Sequence, residues 1–240
     1  GTDVAGVVEA VGEEVTELAP GDRVVGDLST SGRGAFGELV LAHADALVKV
    51  PASISLENAA ALPMAAVTAW QALVGTAGVG QGESVLIDGA SGGVGSFAIQ
   101  IAKASGARVT AICSAAKIDI AREAGADDVL ARGSALGADR YDVIYAVNGR
   151  LTLDEYDAVL AEHGRFVMTG GGGGLAGQVM LGGRRRERQT GQLHRFVQMR
   201  PDTSDLAAVL EMVESGLVRP IIDRRFNLDE ITSALEYLSA

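Results

Sequence analysis

Cysteine is all but absent: the 240 residues hold one, Cys113. A single thiol can close no internal disulfide and build no Cys-rich zinc lobe. It ends the apolar stretch Arg108 to Cys113, so it reads as a buried small hydrophobe rather than a nucleophile. Histidine is nearly as scarce. His43, His163 and His194 stand far apart, and none has a His or Cys beside it at ligand spacing, so no metal site is expected. His43 falls in a turn. His163 precedes Gly164 at an expected helix end, where a cation suits the dipole. His194, near a basic run, is the one to follow. Aromatics make up only 4%, which leaves the core to Val, Ile, Leu and Ala. No uninterrupted apolar run reaches roughly 18 residues, so no membrane span is expected. The opening residues, GTDVAGVVEA, show neither an initiating Met nor a basic segment; they do not read as a signal peptide, but as a chain that starts within a domain. Positive charge is also short: 20 Lys and Arg stand against 31 Asp and Glu, a net charge of −11. Such a surface repels phosphate backbones, so no nucleic-acid partner is expected. A cytoplasmic setting fits these absences.

Glycine, by contrast, is abundant at 32 residues, and it punctuates the chain. Residues 1–50 read as short β segments: Val4 to Val11, Arg23 to Val25 after the turn Pro20-Gly21-Asp22, Glu38 to Leu41, and Ala46 to Val50. Close spacing of this kind suggests a small barrel-like module. Ser55 is a good N-cap for a helix starting at Leu56, and after Pro63 a second helix runs from Met64 to Val74. From Ser84 strands and helices alternate: strand to Ile87, helix Gly93 to Ser105, strand Arg108 to Cys113, helix Lys117 to Ala124, strand Val129-Leu130. Strand Tyr141 to Val147, helix Leu153 to Ala161 and strand Arg165 to Thr169 follow. The alternation predicts an α/β fold, a doubly wound parallel sheet with helices on both faces. Gly170 to Gly177 and the polar stretch Arg184 to Gln192 read as a loop or broken helix. The charge run Arg184 to Arg188 is a solvated loop on the plain reading and an anion contact, to acidic lipid or a substrate carboxylate, on the sharper one. Asp205 to Glu214 is an amphipathic helix with Leu206, Val209, Leu210 and Val213 on one face. Val218 to Ile222 reads as extended, and Asp229 to Leu238 as a closing helix with Ile231, Ala234 and Leu235 inward.

The densest signal is Val85-Leu86-Ile87-Asp88-Gly89-Ala90-Ser91-Gly92-Gly93-Val94-Gly95. It is a strand, a glycine turn and a helix start. Against G-x-G-x-x-G, Ala90, Gly92 and Gly95 take the three glycine places. The first needs a small residue for the turn. Gly92 must lack a side chain so that a pyrophosphate can approach the backbone. Gly95 lets the helix lie close to the strand. The N–H groups opening the helix then face phosphate, with the dipole adding to the attraction. A structural βα turn without ligand is the alternative, disfavoured by the flanking strand and helix lengths. NAD enzymes place an Asp or Glu roughly 20 residues on. Here the second strand ends in Cys113-Ser114-Ala115-Ala116-Lys117, with no carboxylate before Asp119. Ser114 and Lys117, with Arg132 after the next strand, suit a 2′-phosphate, so NADPH is the expected cofactor; a solvated Lys117 is the plain alternative. Ser91 does not sit in G-x-S-x-G and has no base placed for it, which disfavours a hydrolase.

Taken together these residues resemble the medium-chain dehydrogenase/reductase superfamily, in its zinc-independent quinone oxidoreductase branch. The likeness is carried by Gly1-Thr2-Asp3-Val4-Ala5-Gly6-Val7-Val8, Pro20 to Val24, Ala61-Leu62-Pro63 through Thr68-Ala69-Trp70-Gln71-Ala72-Leu73, Gly89 to Gly95, and Val218 to Phe226. Family members begin earlier and end later, so the chain resembles a shortened form. The resemblance implies a partial GroES-like β-barrel catalytic domain over 1–62 and 218–240, and a Rossmann dinucleotide-binding domain over 63–217. The superfamily's zinc enzymes carry Gly-His-Glu where this chain has Gly1-Thr2-Asp3, and Thr2 is no zinc ligand. The resemblance therefore implies metal-free hydride transfer from NADPH to a quinone or an α,β-unsaturated carbonyl. It implies Thr68 near the nicotinamide and Ser114 and Lys117 at the 2′-phosphate. Asn148-Gly149 and Gly170-Gly171 would line the nicotinamide side of the cleft. Related enoyl reductases tend to carry Lys where Gly171 stands, and no proton donor is evident. A homodimer would be in keeping with the family. The alternative is a non-catalytic NADPH-binding sensor or scaffold.

Overall fold

A computed structural model describes residues 1–30, 32 and 34–239. Near the start, the turn at residues 20–22 sets the first hairpin. Gly21 adopts φ +94°, a left-handed conformation that favours glycine, and the Asp22 carboxylate accepts the Ala19 N–H at 2.9 Å. On either side, β1 (Asp3–Val7) and β2 (Arg23–Asp27) pair antiparallel, and β3 (Leu47–Lys49) adds to the other edge of β2. The expected strand over Glu38 to Leu41 is not formed. Among the described residues no strand pairs with it, and Leu39 and Leu41 are 76% and 94% exposed. Apolar alternation alone does not make a strand when the backbone groups lack a ladder.

Ser55 caps α1 (Leu56–Ala59) by accepting the Asn58 N–H at 3.1 Å. The next helix, α2 (Ala65–Trp70), runs on through a π-helical segment, Gln71–Ala77, past the expected end at Val74. It stops at Gly78, which takes φ +62°.

The second sheet is wholly parallel. Its strands are β4 (Ser84–Asp88), β5 (Arg108–Cys113), β6 (Asp128–Ala131), β7 (Tyr141–Ala146), β8 (Leu160–Met168) and β9 (Leu193–Phe196). They lie in the order β6-β5-β4-β7-β8-β9. The crossovers carry α3 (Gly93–Ala104), α4 (Ile118–Glu123), α5 (Leu153–Val159) and α6 (Gly173–Thr190); α7 (Thr203–Glu214) and α8 (Ile231–Ser239) follow β9. Each central strand is apolar on both faces, as a sheet covered by helices on both sides requires. On β4, Val85 and Ile87 join a core that includes Ala66 of α2, Ile99 of α3 and Leu206 of α7, while Leu86 points into a second core with Tyr156 of α5 and Val179 of α6.

Three sequence expectations are corrected here. The helix expected to run to Ala161 ends at Val159, because Leu160 is buried and already pairs with Tyr141 in the sheet. The ladder then skips to Val143 opposite Arg165, and the intervening bulge holds His163 at φ +63°, so His163 caps no helix. Secondly, the stretch read as a loop or broken helix is the 18-residue α6. Its glycines serve contact as well as turning: a Cβ on Gly183 would lie 2.6 Å from the His194 carbonyl oxygen of β9. Arg186 of the charge run bonds Asp154 and Asp157 at 2.5 Å each, and Glu187 pairs with Arg195 at 2.7 Å. The run is thus partly tied to its neighbours on a helix. Thirdly, Leu235 is 51% exposed and does not face inward. The extended segment after Val218 enters no ladder; the buried Gln100 of α3 instead bonds both the N–H and the carbonyl of Arg219, each at 2.9 Å.

Candidate functional site

β4 lies at the centre of the parallel sheet, and the chain reverses its winding there. From β4 it moves outward through β5 to β6, then crosses back to β7 and outward again. Connections therefore leave a crevice at the carboxyl ends of β4 and β7, where ligands bind in open sheets of this kind. The glycine turn opens into it. Gly89 takes φ +89°, and the N–H groups of Gly89 and Ala90 reach the Ile112 carbonyl of β5 at 3.0 and 3.1 Å. Ala90 is fully buried, as a small residue at the first place should be.

The two later glycines behave differently. A Cβ on Gly95 would sit 2.2 Å from the Gly89 oxygen and 2.7 Å from the Ala90 backbone, so only glycine lets α3 start this close to the turn. A Cβ on Gly92 would meet nothing nearer than the Gly89 oxygen at 3.6 Å. The space over Gly92 is open, and Gly92 and Gly93 are exposed. Gly92 is the N-cap of α3 without a capping side chain, and the first N–H groups of the helix, at Gly93 and Val94, have no carbonyl one turn back. A packed hinge at Gly95 beneath an open face at Gly92 is an arrangement that can hold an anion such as a pyrophosphate.

The other predicted residues lie along the same edge. Ser114 follows β5 and opens a short turn that carries Lys117, whose N–H donates to the Ser114 carbonyl at 2.9 Å. Arg132 follows β6, its N–H bonding the Cys113 carbonyl at 2.7 Å. Both Lys117 and Arg132 are exposed, and neither makes an ion pair among the described residues. Cys113 is buried between them and the turn; burial holds its thiol above the usual range, opposed by the Arg132 charge and a hydrogen bond with Ser91. On the other side of β4, Gly89 lies against Asn148, and Gly149 bridges Gly171. A Cβ on Gly170 would fall 2.5 Å from the Val147 oxygen, so this glycine holds the loops after β7 and β8 together. Thr68 is buried as well. It is only 6% exposed, and its hydroxyl donates to the Met64 carbonyl one turn back at 2.5 Å. His194 is buried in β9 between the Gln192 carbonyl and the Asp157 carboxylate, away from this edge, which gives it a structural place.

Sequence reasoning missed the side chains that brace the crevice. The Tyr156 hydroxyl of α5 donates to Asp88 at 2.7 Å, directly before the glycine turn. Tyr145 and Thr169 share a hydrogen bond at 3.0 Å beneath Gly170. Asp3 accepts the Met64 N–H at 3.0 Å and so joins β1 to the start of α2; burial raises its pKa, and these hydrogen bonds oppose the rise. A carboxylate ending a buried apolar strand, as Asp88 does, was the one available signal.

The described residues of this chain do not by themselves fit a zinc ion. Thr2 offers no ligand, Cys113 is buried in β5, and among the described residues no three His, Cys, Asp or Glu converge. Nor is any described helix long and apolar enough to cross a membrane.

Comparison with known proteins agrees with this architecture. A family model described as zinc-binding dehydrogenase matches residues 119–240, and one described as alcohol dehydrogenase GroES-like domain matches residues 1–52. A chloroplast envelope quinone oxidoreductase homolog of Arabidopsis thaliana is 42% identical over 161 residues, 62% of this chain and 49% of its own length. The mitochondrial NAD(P)H oxidoreductase RTN4IP1 of Danio rerio is 30% identical and aligns with 98% of this chain and 67% of its own. The solved quinone oxidoreductase of Coxiella burnetii superposes with a TM-score of 0.86 at 27% identity, over 100% of this chain and 75% of that one. The chain spans about half the length of the chloroplast relatives it matches. With one family model covering half of its residues, a second covering the first sheet, and the open glycine cradle between β4 and α3, the chain belongs to the zinc-binding dehydrogenases of the medium-chain dehydrogenase/reductase superfamily.

Proposed function

We propose that the chain is an oxidoreductase that binds NADPH along the carboxyl edge of the parallel sheet and serves hydride transfer to a quinone or an α,β-unsaturated carbonyl. The observation that carries this reading is the pairing of the open cradle at Gly92 with two exposed cations, Lys117 and Arg132, that have no ion-pair partner among the described residues. Bound there, the cofactor supplies the hydride. The residues of this chain do the rest. The N–H groups of Gly93 and Val94 take the pyrophosphate, and Ser114, Lys117 and Arg132 take the 2′-phosphate, which a dinucleotide lacking that phosphate would leave unmatched. Asn148, Gly170 and Gly171 shape the far end, where small residues leave room for a flat ring. Residues 63–217 form the cofactor-binding domain in this reading, and 1–62 with 218–240 contribute the substrate side. Names of relatives such as quinone oxidoreductase and NAD(P)H oxidoreductase support the class of reaction.

A second reading, a cofactor-binding sensor or scaffold without turnover, is favoured by one feature. The Thr68 hydroxyl, the side chain nearest in expectation to the reacting ring, is buried and committed to the Met64 carbonyl. One experiment separates the two. NADPH is supplied with a panel of quinones and enones, and loss of the nicotinamide absorbance is followed. Turnover on any of them supports the oxidoreductase. Saturable NADPH binding with no turnover supports the sensor, and no binding at all removes both.

A further inference from the structure

A cleft of about 530 Å³ lies between the end of β2, the turn at residues 43–46, the start of α2 and the segment leading into α7. It shares no lining residue with the glycine turn. One part of its lining is acidic, with Asp27, Asp45 and Asp202; another is apolar, with Val67, Met199 and Leu206. His43 is its one basic side chain among the described residues.

Asp27 sets the character of the cleft. It is only 5% exposed; its Oδ1 accepts the Ser29 N–H at 2.7 Å, while its Oδ2 is buried with no hydrogen-bond partner. A buried carboxylate oxygen without a donor is costly and calls for explanation. Among the described residues no group provides one. Across the strand pair stands Asp3, another carboxyl group, already bonded to Met64 and Thr2. Among the described residues, what the site lacks is a cation with N–H groups facing Asp27.

The form of that cation follows from the lining. A metal ion needs several converging ligands, and among the described residues no three His, Cys, Asp or Glu are so placed. An ammonium group needs one carboxylate and a surface for its carbon stem, and the volume lies in the range of small-molecule sites. We propose that this cleft binds a small organic ammonium ion, with Asp27 accepting from its N–H groups and its stem lying on Val67, Met199 and Leu206.

The test is a titration of the ¹⁵N-labelled full chain with n-butylammonium chloride and, separately, with n-butanol, which has the same stem and no charge. Saturable amide shifts around Asp27, Asp45 and Val67 are expected with the amine, at an affinity at least about tenfold above the alcohol, the order expected of one charge-assisted hydrogen bond. Asp27→Asn should abolish that preference. Should the Asn variant fail to fold, Asp45→Asn, at an exposed position, should weaken the amine by a few fold. Equal binding of amine and alcohol overturns the proposal, as does an unchanged preference in a folded Asp27→Asn protein, or tighter saturation of the same amides by magnesium chloride. NADPH titration reports through the Gly92 to Val94 amides, so cofactor binding and the ammonium site can fail separately.

Discussion

The hydroxyl of Tyr156 donates to the carboxylate of Asp88 at 2.7 Å, inside the core and one residue before the glycine turn. The same hydroxyl leaves no room beside Gly149, where a Cβ would fall 2.4 Å away. One side chain of α5 thus fixes both the end of β4 and the loop after β7, the two sides of the crevice. The second Asp88 oxygen is buried with no partner, so the phenol is the carboxylate's one side-chain donor among the described residues.

Tyr156→Phe should therefore cost more than a lost surface contact. It leaves a buried carboxylate unpaired, which is worth about 1–3 kcal/mol. Urea unfolding should show the loss with little change in slope. The pH dependence has a fixed sign. Burial, and then the Asp88 charge, push the Tyr156 phenol above its ordinary value. Its contribution is whole below the unfolded tyrosine value of about 10 and is lost as pH rises beyond it. The wild-type advantage over Phe should accordingly shrink in alkaline urea titrations and hold at neutral pH. An advantage that grows with pH would contradict the hydrogen bond.

The two glycines of the turn should separate stability from binding. Gly95→Ala forces a methyl group against the backbone of Gly89 and Ala90, and a clash with main chain cannot be relieved by a rotamer. A loss on the order of 1–3 kcal/mol, or failure to fold, is expected. Gly92→Ala meets only open space and should stay within about 1 kcal/mol of the parent. Calorimetry should nevertheless find NADPH affinity at Gly92→Ala reduced by about tenfold or more, a loss of about 1.4 kcal/mol. A stable Gly92→Ala protein with unaltered affinity would remove the pyrophosphate from this turn.

Lys117 and Arg132 test cofactor choice. Both are exposed and outside any ion pair among the described residues, so replacement by Ala should leave stability within about 0.5 kcal/mol. Each should lower NADPH affinity and leave NADH affinity nearly unchanged, since only the former carries the 2′-phosphate. The preference for NADPH should also weaken as salt rises, because exposed charges are screened. Equal losses for both cofactors would place these cations elsewhere.

Much of this was legible because the relevant residues are read locally. The strand Arg108 to Cys113 and the helix start at Gly93 follow from apolar runs bounded by glycine, and both stand where the pattern put them. The parallel order follows from alternation. What escaped depends on contacts between distant residues. Nothing near Gly183 announces that a β9 carbonyl will lie against it, so a stretch read as loop or broken helix became one continuous helix. Leu160 looks equally at home in helix or strand until Tyr141 is beside it. The Glu38 to Leu41 alternation promised a strand for which the described residues supply no partner. Residues expected beside the glycine turn do follow β4, β5 and β6 in the structure, but the braces at Tyr156 and Tyr145 were not legible, since their partners lie far off in sequence.

Acid stability turns on the start of the same central strand. The Asp142 carboxylate of β7 accepts both the N–H and the hydroxyl of Ser84 at 2.8 Å, closing the register between β4 and β7. The backbone hydrogen bond from Ser84 is the chief reason its pKa lies below the ordinary carboxylate value, with burial opposing. A carboxylate depressed in the folded state contributes stability above its unfolded value, about 3.9 for Asp, and loses it as pH falls through the folded one. Asp142→Asn should therefore destabilise at neutral pH, with the difference from the parent closing as pH falls below about 4. Denaturant titrations at neutral pH and at successively lower pH values measure that gap. A gap independent of pH would show that the amide loses packing rather than charge, and that the Ser84 contact does not depend on ionisation.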